Sequence, residues 1–212
     1  MLGDGMLTFR EFVLREPLPL AAVQDAILEF LRDRKDAVLF GAQAVNAYVD
    51  ETRMTQAIDL LSNRAVELAE ELREHLSQRF HIAVRVREVG EGRGYRLYQT
   101  QKSGNRHLVD VRPVEKLPEA QRIEQVLVLA PVELILSKVI SYRQRRGKPK
   151  SGTDWRDLAM MLLKFPDLKR DPGPVSERLH KMGVDDAVMA LWKELVAQEV
   201  LPEEDEDEFP EK

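Results

Sequence analysis

The stretch Arg53-Met54-Thr55-Gln56-Ala57-Ile58-Asp59-Leu60-Leu61 places a carboxylate, Asp59, in a short apolar run that reads as a strand. It follows a glycine, Gly41, that closes an earlier apolar run. On a strand the side chains at i and i+2 point to one face, so two carboxylates at that spacing converge on a site for a hard cation. Position 57, two before Asp59, is alanine. A glycine between strand and helix serves a second chemistry. It lets backbone approach a ligand closely, and the helix behind it offers N–H groups and a positive dipole end to an anion. Carboxylates, a divalent cation and a phosphate cradle are together the parts of phosphoryl-type transfer, which works by positioning and charge compensation.

Composition removes other chemistries. There is no cysteine, so disulfides, thiolate metal sites and thiol nucleophiles are excluded, and the four histidines, His75, His81, His107 and His180, are scattered without ligand spacing. With 212 residues and 43% hydrophobic content, the chain can bury a core as one domain, or as one domain with a small helical appendage. No run approaches the roughly 18 apolar residues of a membrane helix and no basic-then-apolar leader opens the chain, so a cytoplasmic location without membrane contact is expected. The net charge of −5 is unevenly spread, because residues 202–212 carry −6 and the body +1.

Within that body, Leu134 to Thr153 has no acidic residue and carries Lys138, Arg143, Arg145, Arg146, Lys148 and Lys150. Such a patch meets phosphate, although cations near a helix C-terminus also complement its dipole. The acidic tail cannot pack a core. It is expected either to fold back on residues 138–150 or to serve as a solubilising terminus.

These groups must be positioned by elements that alternate helix and strand. Helical spacing of Val23, Ala26, Ile27, Phe30 and Leu31 predicts a helix over 20–34. Ala37–Phe40 reads as a strand, Gly41 as a turn, Ala42–Val49 as a helix, Ala57–Leu61 as a second strand, and Ala65–Phe80 as a helix with Val66, Leu68, Ala69, Leu72 and Leu76 inward. Alternation around Val84 and Val86, resumed at Tyr95–Gln99 and His107–Val114, predicts an antiparallel meander added to the first two strands. Val126–Leu129 suggests one more strand. Beyond Pro131 the pattern is helical, over about 131–146, 153–165, 174–182 and 184–199. The expected organisation is an α/β core over 1–130 with an N-terminal helix, a helical region over 131–201, and the tail 202–212. Residues 1–16 fit neither period.

This order resembles the nucleotidyltransferase superfamily, in particular its AbiEii-type abortive-infection toxin family, over about Val38 to Leu168. The family strand reads Arg-x-Thr-x-Asp-x-Asp-Leu after a Gly-Gly turn. The matching residues here are Arg53, Thr55, Ala57, Asp59 and Leu60 after Gly41-Ala42. The resemblance implies an α/β (α+β) fold with a mixed sheet flanked by helices and a helical C-terminal region. It implies that Asp59 and Asp110, in His107-Leu108-Val109-Asp110-Val111, are the catalytic carboxylates and metal ligands, and that Gly41, Ala42, Thr55 and Lys138 contact the nucleotide. The family's later lysine, arginine and Asp-x-x-Asp are matched by Lys138, Arg145 or Arg146, Asp154 and Asp157. Mg2+ and a nucleoside triphosphate follow, with a tRNA end or a protein hydroxyl as acceptor. RNA would lie along Arg143, Arg145, Arg146, Lys148 and Lys150, and an antitoxin-type protein would be a partner.

Each residue also has a purely architectural role open to it. Asp59 suits a strand end, Asp110 an ion pair with Arg112, Asp154 and Asp157 the first turn of a helix, Lys138 an apolar surface under its stem, and Arg53 and Thr55 a brace. Loss of the carboxylate at Ala57 weakens a magnesium site. It fits an alanine introduced deliberately, a degenerate enzyme that still binds nucleotide or a partner, or a site rebuilt from Asp50 or Glu51.

Overall fold

The computed structural model describes residues 9–13 and 16–202, with Arg10 described by its backbone alone. The acidic segment 203–212 and most of the leader, on which expectations were placed above, lie outside the described residues. The chain divides into two compact units, Met1–Leu134 and Ile135–Lys212.

In the first unit, after a short helix α1 (Phe9–Val13), helix α2 (Leu20–Leu31) buries Leu20, Val23, Ala26, Ile27, Leu28 and Leu31 at helical spacing. It ends three residues earlier than expected. Arg32 leaves the helical region and Asp33 takes a left-handed backbone (φ 59°), its amide bonding Gln125 O at 2.9 Å. Strand β1 (Ala37–Phe40) leads through Gly41 into helix α3 (Gly41–Tyr48), and strand β2 (Ile58–Ser62) into helix α4 (Ala65–Phe80). Helix α4 buries Ala65, Leu68, Ala69, Leu72 and Leu76, whereas Val66, expected inward, is 52% exposed.

The predicted meander is present as β3 (Val84–Val89), β4 (Gly94–Gln99) and β5 (Arg106–Pro113), antiparallel to one another. It joins the rest through a parallel pairing of β5 with β2. A strand that the pattern did not reveal, β6 (Ala120–Ile123), pairs antiparallel with β7 (Val126–Leu129). Its sequence, Ala-Gln-Arg-Ile, is mostly polar because it is an edge. Its turn uses Glu124 and Gln125 at φ 47° and 69°, a geometry usually signalled by Asn-Gly.

The result is one seven-stranded mixed sheet of order β3-β4-β5-β2-β1-β7-β6, with β1–β2 antiparallel and β1–β7 parallel. Helix α4 packs on β3, β4 and β5, where Val84, Leu97, Val109 and Val111 are buried. Helix α5 (Pro131–Gln144) carries the boundary between the units.

In the second unit, α6 (Lys150–Lys164), a 3-10 turn (Pro166–Leu168), α7 (Pro174–Met182) and α8 (Asp186–Ala197) follow. Its core includes Val139, Leu158, Met161, Leu179, Leu191 and Trp192, the last fully buried as core packing. Helix α7 stops where Gly183 turns left-handed, and Asp185 caps α8 by accepting from Val188 N at 2.8 Å.

Candidate carboxylate site

Phe40, Asp59, Asp110, Arg96 and Arg87 are successive Cα partners across β1, β2, β5, β4 and β3. Partners in register present side chains to the same face, so the two expected carboxylates stand side by side on adjacent parallel strands. The end of β1, the start of β2 and the start of β5 fall at one end of the sheet, because β1 runs antiparallel to β2 and β2 parallel to β5. Helix α3 opens there without a side-chain cap, leaving its first-turn N–H groups for other acceptors.

Gly41 is tied to Asp59 by space as well as by sequence. Its φ is +72°, and a Cβ built on it would collide with Asp59 Oδ2, with Cγ only 3.0 Å and Cβ 3.1 Å away. Only glycine meets both requirements at low cost. Ala42, the next residue, lies in the first turn of α3.

Asp110 is held by a guanidinium and an imidazole. Arg96 Nε donates to its Oδ1 at 2.7 Å, and His107 Nε2 lies 3.3 Å from its Oδ2, within ion-pair range but without hydrogen-bond alignment. Residues three apart on a regular strand face opposite ways. Here a β-bulge intervenes: Leu97 pairs with Val109 and Tyr98 with His107, so Leu108 has no partner on β4 and His107 turns to the face of Asp110. Burial pushes the Asp110 carboxyl up, but His107 and the Arg96 guanidinium outweigh it and hold the group below its ordinary range. The hydrogen bond to Asp110 in turn raises Arg96. The partner expected for Asp110, Arg112, instead lies over the Phe40 ring at 5.0 Å.

The segment before β2 is braced from two helices. Asn46 of α3 accepts from Arg53 N at 3.1 Å and donates to Arg53 O at 2.8 Å, and Gln24 of α2 donates to Thr55 O at 2.9 Å. Thr55 Oγ1 lies 3.5 Å from both Gln24 Nε2 and the Ala57 carbonyl, a bracing position. Ala57 stands in a bend one residue before β2, which begins at Ile58 and not, as expected, at 57.

Within the second unit, Lys138 Nζ bonds Asp157 Oδ2 at 2.6 Å and Arg145 Nη1 bonds both Asp154 oxygens at 3.0 Å. The lysine, arginine and Asp-x-x-Asp set therefore forms two ion pairs, one joining α5 to α6 and one joining the turn just after α5 to α6. Because α6 begins at Lys150, Asp154 and Asp157 lie beyond its first turn and are not caps, and Asp157 is fully buried. Arg143, Lys148 and Lys150 are exposed, while Arg146 approaches Glu194 at 4.0 Å.

Two carboxylates side by side are short of a magnesium cage. Among the described residues no group of three His, Cys, Asp or Glu side chains could hold a metal ion, so neither Asp50 nor Glu51 rebuilds the set. The Arg96 guanidinium also occupies Asp110 Oδ1. The donor set does not fit a two-metal site.

Sequence reasoning missed His107, Arg96 and Asn46. The first two join the site through a bulge and a strand register, neither of which leaves a local signal; Asn46 reaches its loop across the end of α3.

No protein-family model matches the chain, and no curated protein matches it. Among solved structures, the polyadenylate synthase of Megavirus superposes with a TM-score of 0.59 at 15% identity, covering 82% of this chain and 38% of that one. The JHP933 protein of Helicobacter pylori superposes with a TM-score of 0.52 at 12% identity, covering 91% of each chain. This chain spans 38% of the length of the viral synthase. At these identities the likeness speaks to fold, and the fold is of the nucleotidyltransferase type.

Proposed function

We propose that the chain is a nucleotidyltransferase-fold protein derived from enzymes that move a nucleoside monophosphate from a nucleoside triphosphate to an RNA or protein acceptor, with transfer weakened or lost. The observation that carries this reading is the state of the carboxylate pair. Asp59 and Asp110 stand in register, yet position 57 is alanine and Arg96 sits at 2.7 Å on Asp110. A guanidinium next to Asp110 supplies fixed positive charge where the transfer reaction would use a hard cation. What remains usable is binding: Gly41 lets the backbone pass close against the Asp59 carboxylate, and α3 directs uncapped N–H groups to the same end of the sheet.

The Arg96–Asp110 contact also favours a second reading, a non-catalytic module that binds nucleotide, RNA or a cognate protein in a toxin–antitoxin-like system of AbiEii type. RNA would then use Arg143, Lys148 and Lys150, which are exposed. In either reading we place the protein in the cytoplasm; no helix among the described residues is long and apolar enough to cross a membrane.

The test is transfer of label from α-labelled nucleoside triphosphates, with magnesium, to the RNA and protein of a cell lysate. Wild type is expected to stay at the Asp59→Asn background while Ala57→Asp rises above it. Vigorous wild-type transfer that Asp59→Asn abolishes and Ala57→Asp does not raise overturns the reading of weakened catalysis. Binding of triphosphate by wild type with no transfer by either protein selects the second reading.

A further inference from the structure

The meander β3–β4–β5 has two unlike faces. One packs under α4 through Val84, Leu97, Val109 and Val111. On the other, strand register gathers Arg85 and Arg87 of β3, Arg96 and Tyr98 of β4, and His107, Asp110 and Arg112 of β5. Arg85, Arg87 and Arg112 are exposed, and Arg96 is 43% exposed. Among the described residues the side chains of Arg85 and Arg87 make no hydrogen bond or ion pair, while their backbones pair with β4. The acid set against these cations, Asp110, is already held by Arg96. The rings of Tyr98 and His107 lie 5.1 Å apart and tilted by 35°, in register with Arg85 and beside the Arg87–Arg96 row.

We propose that this face binds a single-stranded nucleic acid, its phosphates on Arg85, Arg87 and Arg112 and its bases over Tyr98 and His107. Several arginines with one engaged acid complement a polyanion, and their guanidinium planes and the two rings give unpaired bases a surface to stack on. A duplex hides its bases and would gain only the phosphate contacts. The row Arg87–Arg96–Asp110–Asp59 spans roughly 14 Å at the usual strand spacing. A strand lying along it arrives at the carboxylate pair. The inference takes the nucleic-acid class of occupant from the proposed function but assigns it a different surface from the α5–α6 patch, and it needs no transfer activity.

Binding is measured by fluorescence anisotropy on the full chain with a labelled oligouridine, the matching DNA strand and a blunt RNA duplex, at roughly 50 and 200 mM salt. Wild type should bind the single strands in preference to the duplex. The charge reversal Arg85→Glu/Arg87→Glu should weaken single-strand binding by about tenfold or more, and the milder Arg85→Ala/Arg87→Ala should lower the log–log salt slope by about 1.4, about 0.7 per phosphate released. Arg143→Glu/Lys148→Glu should cost less than either. RNA and DNA bound alike identify the shared phosphate-and-base chemistry as the ligand, and RNA preferred identifies a 2′-hydroxyl contact as well; both support the surface. Absent binding, preference for the duplex, or a reversal variant that binds as wild type overturns it. Because binding and label transfer are separate readouts, a protein that binds here without transferring label upholds this inference, whatever the transfer assay decides.

Discussion

Gly41 combines a backbone requirement with a packing one, and the two are separable by experiment. Gly147 also has a left-handed backbone (φ +82°) but open space around it. Gly147→Ala should therefore cost only the left-handed strain, about 1–2 kcal/mol. Gly41→Ala adds the displacement of the Asp59 carboxylate, a further ~1–3 kcal/mol. Urea unfolding of both variants checks this, and equal losses would mean that Asp59 yields freely.

Asp110 gives a pH prediction. Its carboxyl is raised by burial but lowered more by His107 and Arg96, so the native group titrates below the unfolded one. Such a group adds stability above the unfolded range and loses it as pH falls through the native one. The stability gap between wild type and Asp110→Asn should be full at neutral pH and shrink below about pH 4. A gap that grows as pH falls below about 4 contradicts the ion-pair account. At this scale the strands and the turn that carry Asp59, Asp110 and Gly41 were legible in order along the chain, because strand and turn are local patterns, whereas the grouping of the three came from the resemblance. Arg96 and His107 were not, because a register and a bulge recruit them.

The elements show how a motif can be recognised while its role changes. Lys138, Arg145, Asp154 and Asp157 drew attention as the match to a family's lysine, arginine and Asp-x-x-Asp; in the fold Lys138 of α5 and Arg145 just beyond it pair with Asp157 and Asp154 of α6. Lys138 and Asp157 are 9% and 0% exposed, so removing one partner leaves a buried charge. Asp157→Leu alone should cost about 3–5 kcal/mol, and adding Lys138→Met should recover much of it. Thermal or urea unfolding of the single and double variants decides; a double variant no better than the single would show that the hydrogen bonds dominate. The start of α6 at Lys150 was missed because Lys-Ser-Gly gives no start signal, and β6 because a polar edge strand lacks alternation. By contrast α2, α4 and α7 have apolar faces at helical spacing, and a face that must be buried is visible wherever it occurs.

For the molecule as a whole, charge is the property most open to manipulation. Residues 202–212 hold −6 of a chain total of −5, so deleting them leaves a body at +1. Affinity for single-stranded RNA should rise on deletion at low salt, and the gain should fade as screening shortens the range of the tail. Equal affinities at low salt would leave the tail a solubilising terminus. The sequence alone determined the alternation of elements, the absence of thiol chemistry, the likeness of Arg53–Leu61 to a metal-binding strand and its missing carboxylate at Ala57, all properties carried by composition or by neighbours in the chain. Tertiary structure decided what touches what. It put Asp59 beside Asp110, gave Asp110 to Arg96, turned His107 to the face of Asp110 through a bulge, and gathered Arg85, Arg87, Arg96 and Arg112 on that face. Pairing between strands distant in sequence depends on register and twist summed over the whole sheet, and no local window of residues contains that information.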